Sequence, residues 1–289
     1  MTNQPLVAVV TGASRGAGKG IALALGSHGC IVYVTGRSIR EGDASVPGTI
    51  LATAEAVTAA GGTGIAVRCD HADDSQVAAL FEQVLREQGR IDILVNNACA
   101  IHDELNLPGN FWEKSIDIGR MIDVGVRSGF TASWHAARAM VRQGKGLIVF
   151  TSSPGAVHYC FGPAYGAHKA GVDKMAADMA VDFADAGVDV AALSVWMGAL
   201  ATDRLKAIIA AEPEKYAHLE GSIETPEFTG HVIWALANDP DVMRLNGQTV
   251  IGAEMGVKYG IRDASGRFPP SARETHGVAP RVQYPAKVK

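Results

Sequence analysis

An unbroken apolar run, Leu6-Val-Ala-Val-Val10, passes directly into Thr11-Gly-Ala-Ser-Arg-Gly-Ala-Gly18 and then into a helical stretch through Ile21, Leu23 and Leu25. No other stretch narrows the possible folds as much. A short β-branched run without polar alternation reads as a strand buried on both faces, and such strands belong to parallel sheets covered by helices. Glycines between that strand and a helix let backbone approach a pyrophosphate, while the helix start offers free N–H groups and the positive end of its dipole. A glycine-rich string alone is weak evidence. Here it lies in the strand–turn–helix setting that the mechanism needs, which makes it a nucleotide-binding candidate.

The pattern then repeats. Residues 31–34 (IVYV) form a second strand that ends in Thr35-Gly-Arg-Ser38. Dinucleotide folds that prefer NAD place an acid near this point for the ribose 2′-hydroxyl, whereas an arginine accommodates a 2′-phosphate. No acid stands here, and Arg37 together with Arg15 favours NADP(H), with NAD(H) as the alternative. A polar loop over 39–48 leads to a helix over 49–60, and a third strand over 65–69 closes at Asp70. Val77, Leu80, Phe81, Val84 and Leu85 then fall on one face of an amphipathic helix ended by Gly89. A fourth strand, 91–95, runs into Asn96-Asn97-Ala98. After an irregular stretch come a helix over 120–143, strand 146–151, helix 165–186, strand 188–195, helix 226–238 and a short strand 248–251. This rhythm predicts an α/β fold: a Rossmann-type, doubly wound, seven-stranded parallel sheet with helices on both faces. In such a sheet ligands bind beyond the carboxyl ends of the strands, so the glycine turn, Arg37, Asp70, Asn97 and Ser152 should gather on one edge.

With 289 residues and no linker, repeat or low-complexity tract, the chain reads as a single domain over 1–289, with a Gly/Pro/Arg-rich tail over 256–289. A net charge of −4 lacks the basic footprint that nucleic acid requires. No apolar stretch is long enough to span a bilayer, and the N-terminus lacks the basic and apolar regions of a signal peptide. Cys30, Cys69, Cys99 and Cys160 are scattered without metal-like spacing, and the nine histidines form no zinc motif, so no metal is expected. Reduced thiols and a soluble, cytoplasmic protein are the expectation.

Tyr165-Gly-Ala-His-Lys169 supplies the chemistry. Residues four apart share one helix face, so Tyr165 and Lys169 project together, and a nearby ammonium favours the ionised phenol. That pairing lets a tyrosine give or take a proton near neutral pH. Ser152, thirteen positions earlier at the end of an apolar run, could hydrogen-bond a carbonyl that Tyr165 protonates.

TGASRGAG, NNA and the Ser152…YGAHK set, in this order, resemble the classical short-chain dehydrogenases/reductases over roughly residues 5–255. The strings VGVRSGF, TSSPG and YGAHKAGVDKMAAD resemble the branch typified by dehydrogenase/reductase SDR family member 1. The resemblance implies Tyr165 as acid/base, Ser152 as the group that polarises the carbonyl, and Lys169 as the group that orients the nicotinamide ribose. It implies Gly12, Ser14, Arg15, Gly16 and Gly18 around the pyrophosphate, and Arg37 and Ser38 at the 2′-phosphate. It further implies Asp70 at adenine, Asn97 at the adenosine-side ribose, and Leu200 backbone with Thr202 at the carboxamide. Residues 199–225 would form a substrate-side lid, and the helices over 120–143 and 165–186 would pair subunits into a homodimer or homotetramer. The implied activity is hydride transfer between NADP(H) and a carbonyl or secondary alcohol.

Two positions depart from the family pattern: Gly125 stands where many members have asparagine, and Met197-Gly198 replaces Pro-Gly. They support a rival reading, a non-catalytic NADP(H)-binding sensor or scaffold, against which the intact Ser, Tyr and Lys argue. His158, Tyr159, Phe161, Trp196 and Met197 are candidates for an apolar, aromatic substrate pocket.

Overall fold

The computed structural model describes residues 4–284 and 288; the ends of the expected single domain and of its tail (1–3, 285–287 and 289) lie outside the described residues. Seven parallel strands form one sheet in the order β3-β2-β1-β4-β5-β6-β7. They are β1 Val7–Val10, β2 Ile31–Gly36, β3 Thr63–Arg68, β4 Ile93–Asn96, β5 Lys145–Ser152, β6 Asp189–Trp196 and β7 Thr249–Ile251. The helices between them are α1 Gly16–Ser27, α2 Ile50–Ala59, α3 Asp74–Gln88, α4 Ser128–Gln143 and α5 Pro163–Ala186. Beyond β6 come α6 Asp203–Ala211, α7 Pro213–Tyr216, α8 Pro226–Asn238, α9 Gly252–Tyr259 and α10 Ala272–Thr275. The doubly wound seven-stranded sheet is as the sequence predicts. The order reverses between β1 and β4, and that switch point opens a crevice at the carboxyl edge.

Each face of the sheet has its own core. On one, Val10, Val34, Val95 and Val149 pack under Ile21, Leu25, Phe228 and Val232 of α1 and α8. On the other, Val9, Leu94, Ile148 and Phe150 pack under Phe81, Ala136, Val172 and Phe183 of α3, α4 and α5. Alternation along each strand sends successive residues to opposite cores, which is why these strands read as continuous apolar runs. Helices α1 and α8 cross closely because the contact is glycine: a Cβ on Gly20 would lie 2.4 Å from Pro226, and one on Gly230 would lie 2.6 Å from Ala24 Cβ. That crossing fixes the start of α1 over the crevice.

The helix expected over 120–143 is broken. Ile122–Arg127 forms a π-helical turn with Val124 outside helical geometry (φ −99°, ψ 41°), and α4 proper begins at Ser128. Spacing of apolar residues cannot register a local change of helix type. Within the tail, residues 267–273 are docked against the rest of the fold. Ala272 is buried with Trp196 and Ala156, Arg273 and Ser271 bind Glu254 at 2.8 and 2.7 Å, and Arg267 Nη1 donates to the Gly221 carbonyl at 3.1 Å. Among the described residues no helix is long and apolar enough to cross a membrane.

Candidate active site

The ends of β1, β2, β4, β5 and β6 meet around the crevice. Gly12 (φ +65°) and Gly16 (φ +56°) adopt left-handed backbone that other residues avoid. A Cβ on Gly12 would lie 2.8 Å from Ala98 Cα, and one on Gly18 would lie 2.4 Å from the Gly12 carbonyl oxygen and 2.5 Å from Asn97 Nδ2. Only bare backbone fits this cradle. The start of α1 has no side-chain cap, so its first-turn N–H groups are left for an anion. These features fit a dinucleotide pyrophosphate.

Several residues expected at the cofactor hold the protein itself together. Asn97 Nδ2 donates to the carbonyls of Thr11 and Gly12 at 2.9 and 3.1 Å, and its backbone N–H donates to Thr11 Oγ1 at 2.9 Å. Its amide clamps the glycine turn to the end of β4, which leaves no side-chain donor aimed at a ribose. Arg15 donates from Nε to Pro47 O at 2.8 Å and from Nη2 to Gly48 O at 2.7 Å and Ser38 Oγ at 3.1 Å. It therefore closes the 39–48 loop over β2, and only Nη1 lacks a partner among the described residues. Ser14 and Ser38 are buried beside it. Arg37 is exposed, with no hydrogen bond or ion pair to a described residue. Asp70 Oδ1 accepts from Ala72 N–H at 3.0 Å. The buried His71, which the sequence did not single out, ties this edge through Thr35 Oγ1 at 2.8 Å; burial lowers its pKa to about 4 and keeps it neutral. Thr202 caps α6 by accepting from Leu205 N–H at 3.2 Å, and its Cγ2 lies 3.6 Å from the Cβ position of Gly16. The 199–225 segment thus passes directly opposite the glycine turn. Leu200 pairs with Glu224 in a single bridge that closes the base of the 199–225 segment.

The serine that meets the tyrosine is not the one expected. Ser153 Oγ lies 2.8 Å from Tyr165 Oη. Ser152 is wholly buried, with Oγ donating to the Lys169 carbonyl at 3.3 Å. The cause is the end of the strand. Ser152 is the last rung of β5, paired with Trp196, and its side chain lies beneath α5. Ser153 follows in extended backbone (φ −158°, ψ 166°), caps the turn Pro154–Ala156 and turns its hydroxyl toward the crevice. Gly155 makes room for the phenol, since a Cβ there would stand 2.5 Å from Tyr165 Cε1. The Ser-Ser-Pro-Gly string was the signal for both residues.

Lys169 is almost fully buried; its Nζ donates to the Thr151 carbonyl at 3.1 Å and lies 5.6 Å from the centroid of the Tyr165 ring. The downward pull expected from the ammonium does not decide the state of the phenol. Burial pushes the Tyr165 pKa up, only partly opposed by the Ser153 hydrogen bond, so the group is a neutral donor at pH 7. Burial also lowers the pKa of Lys169.

The expected aromatic pocket divides. Trp196 is buried core, its Nε1 donating to Asp173 Oδ2 at 2.8 Å, because strand alternation points it at α5; it is not a pocket residue. Tyr159 is 82 % exposed and turned to solvent. Phe161 sits edge-on to Tyr165 at 5.1 Å and holds left-handed backbone (φ +57°), the one non-glycine residue among those described to do so. His158 lies 5.3 Å from His276 of the docked tail. Met197 is half-buried, and its N–H donates to the Ser152 carbonyl at 3.1 Å. A proline at 197 could not make that bond, so the departure adds a β5–β6 hydrogen bond next to Ser153.

The family model for short chain dehydrogenase matches residues 6–213. The chain is a short-chain dehydrogenase/reductase. It is 42 % identical over 272 residues to dehydrogenase/reductase SDR family member 1 of Mus musculus, covering 90 % of this chain and 84 % of that one. The short-chain dehydrogenase/reductase fold is shared with a dehydrogenase from Xanthomonas campestris (TM-score 0.76, 27 % identity, 91 % and 93 % of the two chains). It is shared also with a 7α-hydroxysteroid dehydrogenase complexed with NADH and 7-oxo glycochenodeoxycholic acid (TM-score 0.71, 25 % identity, 91 % and 94 %). Membership of this family makes the chain an oxidoreductase acting on small molecules with a nicotinamide cofactor. Among the described residues no group of three or more His, Cys, Asp or Glu could hold a metal ion.

Proposed function

We propose that this protein transfers a hydride between NADP(H) and a carbonyl or secondary alcohol, with Ser153, Tyr165 and Lys169 as its catalytic residues. The observation that carries the reading is the 2.8 Å contact between Ser153 Oγ and Tyr165 Oη beside a cradle that only glycine backbone can form. In the reducing direction the two hydroxyls converge on one carbonyl oxygen. Charge growing on that oxygen meets donors already in position, which lowers the barrier more than donors that must reorient. The neutral Tyr165 phenol gives its proton to the oxygen, and Ser153 holds the oxygen in line. Lys169, fixed by the Thr151 carbonyl, stabilises the negative charge left on the phenolate. NADP(H), when bound, supplies or accepts the hydride. Gly12, Gly16, Gly18 and the open N-terminus of α1 would hold its pyrophosphate, with Ser14 and Arg15 Nη1 alongside.

Preference for NADP(H) over NAD(H) is supported by the free Arg37 guanidinium and by the absence of an acid at the end of β2. Asp43, the next acid but one, is occupied by the backbone N–H groups of Ile39 and Arg40 at 2.7 and 2.9 Å. Phe161, edge-on to Tyr165, favours a hydrophobic or aromatic substrate. Free, scattered cysteines suit the cytoplasm. The exposed Phe130 and Trp134 on α4 suit pairing into a homodimer or homotetramer, which sedimentation at micromolar concentration would test. Turnover of ketones, aldehydes and diketones with NADPH tests the activity. Failure to exceed a Tyr165→Phe control across the panel, with NADPH still bound, would leave the binding-only sensor instead.

A further inference from the structure

Position 125 is glycine inside the π-helical turn, and what lies against it is His168, the residue before Lys169. A Cβ on Gly125 would stand 2.7 Å from His168 Nε2 and within 2.9 Å of two further ring atoms. The imidazole therefore occupies the volume that any other residue at 125 would claim. The contact does not stand alone. One turn further along α5, the Cβ position of Gly171 is 3.3 Å from Val126, so the π-turn and α5 meet through two glycines placed on opposite partners. The non-helical Val124 sits one residue ahead of this contact.

On its other side His168 Nδ1 meets Cys99 Sγ at 3.6 Å, just past the end of β4. The ring is thus wedged between the π-turn, β4 and α5, and it is 3 % exposed. Burial and the neighbouring Lys169 lower its pKa to about 2, so it stays neutral at any working pH. The groups facing this wedge are Cys99, whose thiol pKa burial raises, and Lys169, whose pKa burial lowers; Asp173 lies one turn further along α5.

We infer that Gly125 and His168 are a matched pair in which the imidazole, seated in the space left by the glycine and against Cys99, fixes the turn of α5 that carries Lys169 and so positions its ammonium. Because it assigns a role to Lys169, the inference rests on the function proposed above. His168 acts through Lys169 and is a positioning residue. Placement matters here because an error of about 1 Å in a catalytic group costs on the order of 10²-fold in rate.

The test is a double-mutant cycle on the full chain with Gly125→Ala, His168→Ala and the pair together. Gly125→Ala is expected to lose roughly 10²-fold in kcat. It should also melt several degrees lower without cofactor, as overpacking produces. Adding His168→Ala removes the overlap and should restore melting and bring kcat back to the level of His168→Ala alone. His168→Ala itself should lower kcat about tenfold while NADPH affinity measured by fluorescence is unchanged. An active wild type whose His168→Ala variant keeps its kcat would overturn the inference, as would a double variant that melts no higher than Gly125→Ala. A wild type inert on every substrate would instead overturn the proposed function, and the melting temperatures would still decide whether the pair is coupled.

Discussion

The two sides of the crevice are made differently. The β1–α1 side is backbone: glycines at 12, 16 and 18, an uncapped helix start, and an asparagine whose amide is tied to main-chain carbonyls. The β5–α5 side is side chains, Ser153, Tyr165, Lys169 and His168, held by contacts with one another, with the Thr151 carbonyl and with Cys99. A backbone site tolerates no added atoms but needs little orientation. A side-chain site can be filled with the right residue types and still fail if one is turned the wrong way. Damage on the first side should therefore appear in cofactor affinity, and damage on the second in kcat.

The largest effects should fall on the serine–tyrosine contact. Tyr165→Phe is expected to cut kcat by about 10²–10⁴-fold and Ser153→Ala by roughly 10²–10³-fold, with NADPH affinity preserved in both. Ser152→Ala should cost only about 1 kcal/mol of stability, through its lost bond to the Lys169 carbonyl, and little rate. Steady-state kinetics on the two serine variants decides between them. If Ser152→Ala is the inactive one, the catalytic side has been assigned to the wrong residue.

Matched glycine substitutions sharpen the contrast. Gly18→Ala forces a methyl to 2.4 Å from the Gly12 carbonyl, and Gly155→Ala forces one to 2.5 Å from the Tyr165 ring. Each should destabilise the fold by about 1–3 kcal/mol, as overpacking does. Gly18→Ala should abolish NADPH binding in calorimetry. Gly155→Ala should leave binding intact and lower kcat. Equal losses of binding in the two variants would erase the proposed division.

Arg37→Ala is expected to weaken NADPH by roughly 10- to 10²-fold and leave NADH unchanged, since a charge-assisted bond contributes about 1.5–3 kcal/mol. Parallel titrations of both cofactors measure it, and an unchanged NADPH affinity would remove Arg37 from the 2′-phosphate.

A pH slope at the base of the 199–225 segment is a separate test. Glu224, 1 % exposed, accepts from Gly198 N–H at 2.9 Å, and burial raises its pKa from 4.5 to about 7. The folded chain therefore holds this proton where the unfolded chain has released it. Its contribution is complete below about pH 4.5 and is lost as pH rises through about 7, a change of a few kcal/mol at most. Chemical denaturation of Glu224→Gln across that window should show a flatter dependence than the wild type.

Most of the cofactor side was legible in the sequence, because its signals are local. A glycine run between a strand and a helix defines its own geometry, and the missing acid after β2 is visible without knowing what lies nearby. The roles of Asn97 and Arg15 were less legible. Residue type shows that a side chain can donate, but only the arrangement of Thr11, Gly12, Pro47 and Gly48 around them shows where the donors go. On the catalytic side the Tyr-x-x-x-Lys spacing placed two groups on one helix face, as it had to. It could not show that burial raises the pKa of the phenol.

The amino-acid order by itself determined the α/β rhythm, the glycine turn and the Tyr165–Lys169 pair, since each follows from a period of two or of 3.6 residues, or from the freedom of glycine at positive φ. Only the tertiary structure decided that Ser153 rather than Ser152 faces the phenol, that Trp196 belongs to the core, and that His168 fills the space beside Gly125. The reason is the same in all three cases. Where a strand stops pairing, or a helix departs from its regular turn, the direction of the next side chain is set by distant segments packed against it, and no local spacing encodes them.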